Sequence, residues 1–276
     1  MIMAIIFIIG YMKNVEKIKE NKSNIPEIEA GDMRVHFIDV GQGDSSFIEL
    51  PDGKTMLIDA GNKENADDII SYIKALDKDT IDYVVATHPH SDHIGGMAKV
   101  INEFDVGSIY MPKVVHNTNT YKDLLKTIDR KGLTITTAKA GVSIHSGELY
   151  NIEILSPTKD SYEDINNYSA VIKITYKNNS FLFMGDAEAP VEKEIINKLG
   201  KVDVLKAGHH GSSTSSSRQF INRVNPEYSI ISCGQDNEYG HPHKETLTML
   251  KNSTILRTDE LGTIIITSDG EDIEYK

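Results

Sequence analysis

Three histidines and one aspartate fall within six residues in Thr87-His88-Pro89-His90-Ser91-Asp92-His93-Ile94-Gly95-Gly96. Histidine and aspartate seldom go unpartnered into an interior, so packing does not explain so dense a group. Imidazole and carboxylate donors suit Zn²⁺, Mn²⁺ or iron. The block follows an apolar run, Ile81 to Thr87. A loop leaving a strand aims alternate side chains at different points, so His88 and His90 would serve one ion, Asp92 and His93 a second. Gly95-Gly96 lets the next helix approach closely, because no Cβ intervenes.

Three further groups share this placement. Gly185-Asp186-Ala187-Glu188 follows the apolar run Phe181 to Met184. Asp186 is placed to bridge two metals through its two oxygens, or simply to cap the next helix. Lys206-Ala207-Gly208-His209-His210-Gly211-Ser212 and Gly240-His241-Pro242-His243-Lys244 also stand at strand or loop exits. Seven of the ten histidines thus lie in three short clusters, which fits convergence on one site. His36, His116 and His145 read as background.

The elements that must position these groups are short. Arg34 to Val40, Ser46 to Leu50 and Thr55 to Asp59 read as strands, with Pro51-Asp52-Gly53 turning the second into the third. Ala66, Ile69, Ile70, Ile73 and Leu76 share one helical face. Strands are expected at 81–87, 106–111, 133–137, 149–155, 169–176, 180–184, 202–206, 228–232, 254–257, 262–267 and 272–275. Helices are expected near 94–103, 119–130, 188–199, 215–224 and 243–251. Hairpins followed by strand–helix alternation predict a layered α/β or α+β domain over residues 33–276.

Residues 1–12, MIMAIIFIIGYM, are almost wholly apolar and give way to a polar stretch, 13–32. We read the first as a secretory signal or short membrane anchor and the second as a linker or stalk, which places the domain outside the cytoplasm, anchored or secreted. As a helix the apolar segment would rise only about 18 Å, against roughly 30 Å of hydrocarbon core. A single cysteine, Cys233, excludes an intramolecular disulfide framework and a cysteine-rich zinc knuckle, leaving a site with nitrogen and oxygen ligands. A net charge of −12 over 276 residues disfavours binding of long duplex DNA.

The chain resembles the metallo-β-lactamase fold of hydrolases. His88-Pro89-His90-Ser91-Asp92-His93 is similar to that superfamily's HxHxDH signature, and Asp59 in Leu57-Ile58-Asp59-Ala60-Gly61 to its supporting upstream aspartate. More narrowly, the chain resembles the hydrolase domain of ComEC-type competence proteins through Phe37-Ile38-Asp39-Val40-Gly41-Gln42-Gly43-Asp44, Asn166-Asn167-Tyr168-Ser169, Met184-Gly185-Asp186, His209-His210-Gly211-Ser212 and Gly240-His241-Pro242-His243. The resemblance implies a four-layer αββα sandwich. It implies His88 and His90 at metal site one, Asp92 and His93 at site two, Asp186 bridging, and one histidine of the 209–210 pair completing site two. We expect His209, which comes first off the strand. Asp59 would orient a ligating histidine from behind, with Asp44, Gln42, Asn167 and Ser169 supporting the same loops. Two departures stand out. The further histidine ligand of many superfamily members is replaced by Asn166-Asn167-Tyr168-Ser169, as in the competence-type branch, and His90 stands where competence proteins often have Asp.

The implied chemistry is metal-assisted hydrolysis by a metal-bound hydroxide, with one or two divalent ions, Zn²⁺ or Mn²⁺. Asp92, His210, His241 and His243 are the catalytic candidates, the histidines because imidazole titrates near neutral pH. Ser212, Ser213 and Lys244 would hold substrate oxygens. A phosphodiesterase or nuclease acting on a small phosphoester or a single strand is the first expectation. A lactonase, thioesterase or β-lactam hydrolase is the second, and a non-catalytic, membrane-tethered metal-binding module the third.

Overall fold

Runs rich in isoleucine, valine and phenylalanine, punctuated by turn residues, pair into two sheets. The computed structural model describes residues 28–276, with Lys22 and Ile25 before them. The expected apolar segment 1–12 and most of the expected linker 13–32 lie outside the described residues.

Strands β1 (Met33–Phe37), β2 (Ser46–Glu49) and β3 (Thr55–Ile58) form an antiparallel meander. Strands β4 (Thr80–Val85), β5 (Asp105–Met111) and β6 (Ile135–Thr137) extend it in parallel. Helices α1 (Ala66–Ala75), α2 (Ser91–Ile94), α3 (Met97–Glu103) and α4 (Asn119–Arg130) make the crossovers. A second meander holds β7 (Ser143–Ser146), β8 (Tyr150–Ser156), β9 (Val171–Tyr176) and β10 (Asn179–Phe183). It continues in parallel through β11 (Val204–Lys206), β12 (Tyr228–Ile231) and β13 (Thr254–Arg257). Helices α5 (Ala189–Ile195), α6 (Arg218–Val224) and α7 (Lys244–Met249) connect these. The chain then returns as β14 (Ile264–Ser268) and β15 (Ile273–Tyr275) to pair beside β1.

Alternation along the strands sets the layers. Phe181 and Phe183 of β10 face the first sheet, where Phe183 stacks on Phe37 with ring centroids 5.9 Å apart. Leu182, between them, faces α5 and α6 with Val191, Ile195 and Phe220. On the far side Phe47, Leu57 and Val84 meet Ile69, Ile73, Ile101 and Leu124 of α1, α3 and α4. Helix, sheet, sheet and helix form the expected αββα sandwich.

Several boundaries differ from expectation. The helix expected over 94–103 breaks at the glycine pair into α2 and α3. A Cβ on Gly96 would lie 2.4 Å from the carbonyl oxygen of Ala60, so the pair does allow the close approach. Strand β7 and a 3₁₀ turn, Ile165–Tyr168, were not expected. β7 is only partly buried and carries no apolar alternation. Because β3 and β4 run parallel, as do β10, β11 and β12, the chain leaves each sheet toward a shared edge. Ligand sites of α/β sheets lie outside such carboxyl ends.

Candidate metal centre

Each expected cluster leaves one of these strand ends. Asp59 follows β3, His88 to His93 follow β4, Asp186 follows β10, and His209-His210 follow β11. They meet between the sheets: His93 Nε2 of the first half lies 3.2 Å from Asp186 Oδ1 of the second. Asp186 is reached through Gly185, whose φ of +53° favours glycine and where a Cβ would press on Thr87 and Ser169 at 3.0–3.2 Å.

Two groups of donors share Asp186. His88, His90 and Asp186 form one; Asp44, His93, Asp186 and His210 form the other. His88 Nε2 lies 3.0 Å from His90 Nδ1 and 3.7 Å from Asp186 Oδ2. His210 Nε2 lies 3.2 Å from Asp92 Oδ2 and 3.6 Å from Asp186 Oδ2. Asp92 is the more open carboxylate, 3.9 Å from His93 Nε2.

Side chains behind the cluster aim it. Asp59 Oδ2 lies 2.7 Å from His93 Nδ1 and accepts from Thr87 Oγ1, while Oδ1 accepts from the Thr87 amide. Ser169 Oγ accepts from the Asp186 amide and sits 3.4 Å from His88 Nδ1. The Ser232 carbonyl, at 3.0 Å, and Asp44 Oδ1, at 3.2 Å, both take the Nδ1 side of His210. Lys206 Nζ holds the other Asp44 oxygen at 2.8 Å.

The electrostatics favour a cation. Burial drives His88 and His90 down in pKa. Burial also opposes charge on His93 and His210, but the carboxylates outweigh it. Asp186, Asp59 and Asp92 hold His93 well above its usual range, and Asp186 and Asp44 hold His210 at about 10. A site that retains protons against desolvation has the field to retain a metal ion instead. His93 Nε2, Asp186 Oδ1 and His210 Nε2 are buried; the first two face each other and the third faces Asp92, each at 3.2 Å without a well-aligned hydrogen bond, an arrangement that a shared cation would satisfy. The donor set therefore fits divalent cations.

Of the expected pair, His210 joins the compact donor group, and His209 lies at its margin, lining the same cleft. His209 and His210 both take left-handed backbone, φ 51° and 52°. Two such turns in succession carry the second ring inward and leave the first against Thr214, 3.1 Å from Nδ1. His209 Nε2 lies 3.8 Å from Asp186 Oδ2, against 3.6 Å for His210 Nε2, so the two differ by burial and partners rather than by reach to Asp186. Asn167 also stands further out than expected, bracketing Glu188 rather than touching a metal donor.

The substrate-side candidates divide. Gln42, His90, Asp92, His116, His209, His210, Tyr239 and His241 line an open cleft of about 330 Å³ with Asp186 at its base. Burial and the charges of His210 and His209 press His241 to about 4, so it is neutral near pH 7. Gln42 Nε2 lies 3.5 Å from His241 Nδ1. His243 does not face the cleft donors: its Nδ1 accepts from the Ser213 amide and its Nε2 reaches the Tyr239 carbonyl. Ser212 Oγ is buried, accepting from Thr214. Ser213 and Lys244 are exposed and lie outside the cleft lining.

Sequence reasoning missed Thr87, Lys206 and Tyr239, and set His116 aside although its ring centroid lies 6.0 Å from that of His90. Lys206 did carry a signal, as a lysine ending an apolar strand. His36 and His145 lie elsewhere, His36 buried against Glu49 and Tyr72, His145 stacked on Tyr150.

The model of the metallo-beta-lactamase superfamily matches residues 38–235. The chain belongs to that superfamily. It is 32% identical over 251 residues to ComE operon protein 3 of Bacillus subtilis, which covers 83% of this chain and 32% of that relative. It is 30% identical over 222 residues to Recombination protein 2 of Haemophilus influenzae, covering 79% of this chain and 26% of that one. The chain thus spans about a third or less of these curated relatives' length. Its fold is similar to that of the metallo-beta-lactamase fold protein YhfI from Bacillus subtilis, with a TM-score of 0.58 at 12% identity, covering 86% of this chain and 100% of that one. Among the described residues, no helix is long and apolar enough to cross a membrane.

Proposed function

We propose that this superfamily member is a phosphoester hydrolase, acting above all on phosphodiesters, with one or two divalent ions, Zn²⁺ or Mn²⁺, in the cluster. The observation that carries this reading is the sharing of Asp186 between two donor groups. Adjacent cations suit in-line displacement at phosphorus, where attacking and leaving oxygens both need positive charge. When bound, the ions supply Lewis acidity that acidifies water and takes up negative charge.

His88, His90, His93, Asp186 and His210 would hold the ions, with Asp92 at the open side. Asp59, Thr87, Ser169, Asp44 and Lys206 fix the rings before substrate arrives, so little reorganisation is left for the reaction. Neutral His241 is placed to share a hydrogen bond with a substrate oxygen. A neighbouring groove of about 950 Å³ carries Lys113, Lys139, Lys159 and Asp160 among apolar side chains, with Lys159 paired to Glu194. In a chain of net charge −12 this modest positive charge supports a small anionic or single-stranded substrate over a long duplex. The inert-module reading has no support in a cluster with this full set of donors.

Assays of bis-p-nitrophenyl phosphate, single-stranded DNA and nitrocefin with Mn²⁺ or Zn²⁺ test the proposal. Phosphodiester turnover is expected; acyl turnover without it overturns the reading. We further propose that residues 1–12 anchor or export the chain. A chain starting at residue 32 is then expected to be soluble and active, with the full chain in the membrane or secreted fraction.

A further inference from the structure

Three rings form a staircase from the cluster to the surface. His210 is one of the metal donors, His241 stacks on it at 6.2 Å between centroids and 28° between planes, and Tyr239 stacks on His241 at 5.6 Å and 20°. Tyr239 keeps 59% of its surface exposed, one of few large hydrophobic side chains to do so among the described residues. It lines the same cleft as Asp186 and His90.

The loop carrying this ring is braced. Asn237 Oδ1 accepts from the His241 amide, and its Nδ2 donates to the carbonyls of Gly234 and His241. His243 ties the Tyr239 carbonyl to Ser213. An exposed aromatic on a fixed loop pays little ordering cost when it meets a ligand, and stacking on such rings tolerates any base.

We propose that Tyr239, backed by His241, is a specificity residue that stacks on a nucleobase attached to the phosphate seated at the metal cluster. The inference rests on the phosphoester reading and extends it to nucleotide substrates. Its test is an equilibrium one, so it fails separately from turnover. Adenosine 5′-monophosphate and ribose 5-phosphate, which share sugar and phosphate, are titrated calorimetrically into the full chain with Zn²⁺ present. The base is expected to strengthen binding about fivefold to a hundredfold. Tyr239→Ala is expected to remove that difference and Tyr239→Phe to keep it. Equal affinities in the wild type, binding of neither, or a difference that survives Tyr239→Ala overturns the proposal. Absent phosphodiester hydrolysis alongside a base-dependent, Tyr239-dependent affinity would instead strike only the reaction.

Discussion

Asp59 Oδ2 and His93 Nδ1 lie 2.7 Å apart, both fully buried, and this contact sets which nitrogen of His93 faces the cluster. With Nδ1–H donating to Asp59, Nε2 is the nitrogen that faces Asp186 and that a metal ion would take in place of its proton. Asp59→Asn replaces a carboxylate with an amide that can present N–H instead. Metal affinity is expected to fall about 10- to 100-fold with the circular dichroism spectrum unchanged. Chelator competition measures it; unaltered affinity would remove His93 from the ligands.

The pair at 209–210 separates by exposure. His210 is buried with Nε2 turned toward the carboxylates of Asp92 and Asp186, whereas the His209 side chain is 22% exposed and engaged by Thr214. His210→Ala is expected to lower the metal-to-protein ratio after dialysis, and His209→Ala to hold it close to wild type. Elemental analysis of both variants decides, and the reverse ranking would restore the reading that the first histidine off the strand ligates.

Asp186→Asn removes the charge common to both donor groups. Binding of metal to the native state stabilises it by roughly 3 kcal/mol at a hundredfold excess over Kd. The wild-type melting temperature should therefore rise on adding Zn²⁺ or Mn²⁺, and in Asp186→Asn the rise should vanish along with turnover. A full metal-induced shift in that variant would mean that the ions bind elsewhere.

Away from the site, Arg34, His36, Glu49 and Lys78 make a buried network. Burial raises the Glu49 pKa, but His36 and Arg34 overcome this and lower it from 4.5 to about 2. A carboxylate depressed on folding stabilises the native state above its unfolded pKa and loses that contribution as pH falls through the folded one. The contribution is on the order of 3 kcal/mol near neutrality. Urea titrations of wild type and Glu49→Gln should differ by about that much at pH 7, with the gap closing only as pH falls to about 2 and below. A gap independent of pH would point to packing rather than charge.

Most of the scaffold was legible because its signals are local. Alternation in Phe181-Leu182-Phe183 names both faces of β10, and Pro51-Asp52-Gly53 forces the β2–β3 turn. The first metal loop was legible because four donors crowd one strand end. The choice between His209 and His210 was not, since it depends on two consecutive left-handed residues that their side chains do not announce. Nor was the inward turn of Lys206, which requires Asp44, 162 residues earlier in the chain, as its buried partner. Tyr239 escaped notice because a lone tyrosine in a loop has no pattern until His241 and His210 line up beside it.

His93 and Asp186 come from opposite halves of the chain, one behind β4 and the other behind β10. A partly synthesised polypeptide ending before residue 186 owns most of the histidines yet no shared carboxylate to gather them. Neither half is armed alone. On the function proposed above, hydrolytic competence arrives only with the docking of the two sheets, and fragments released by proteolysis between the halves should be inactive.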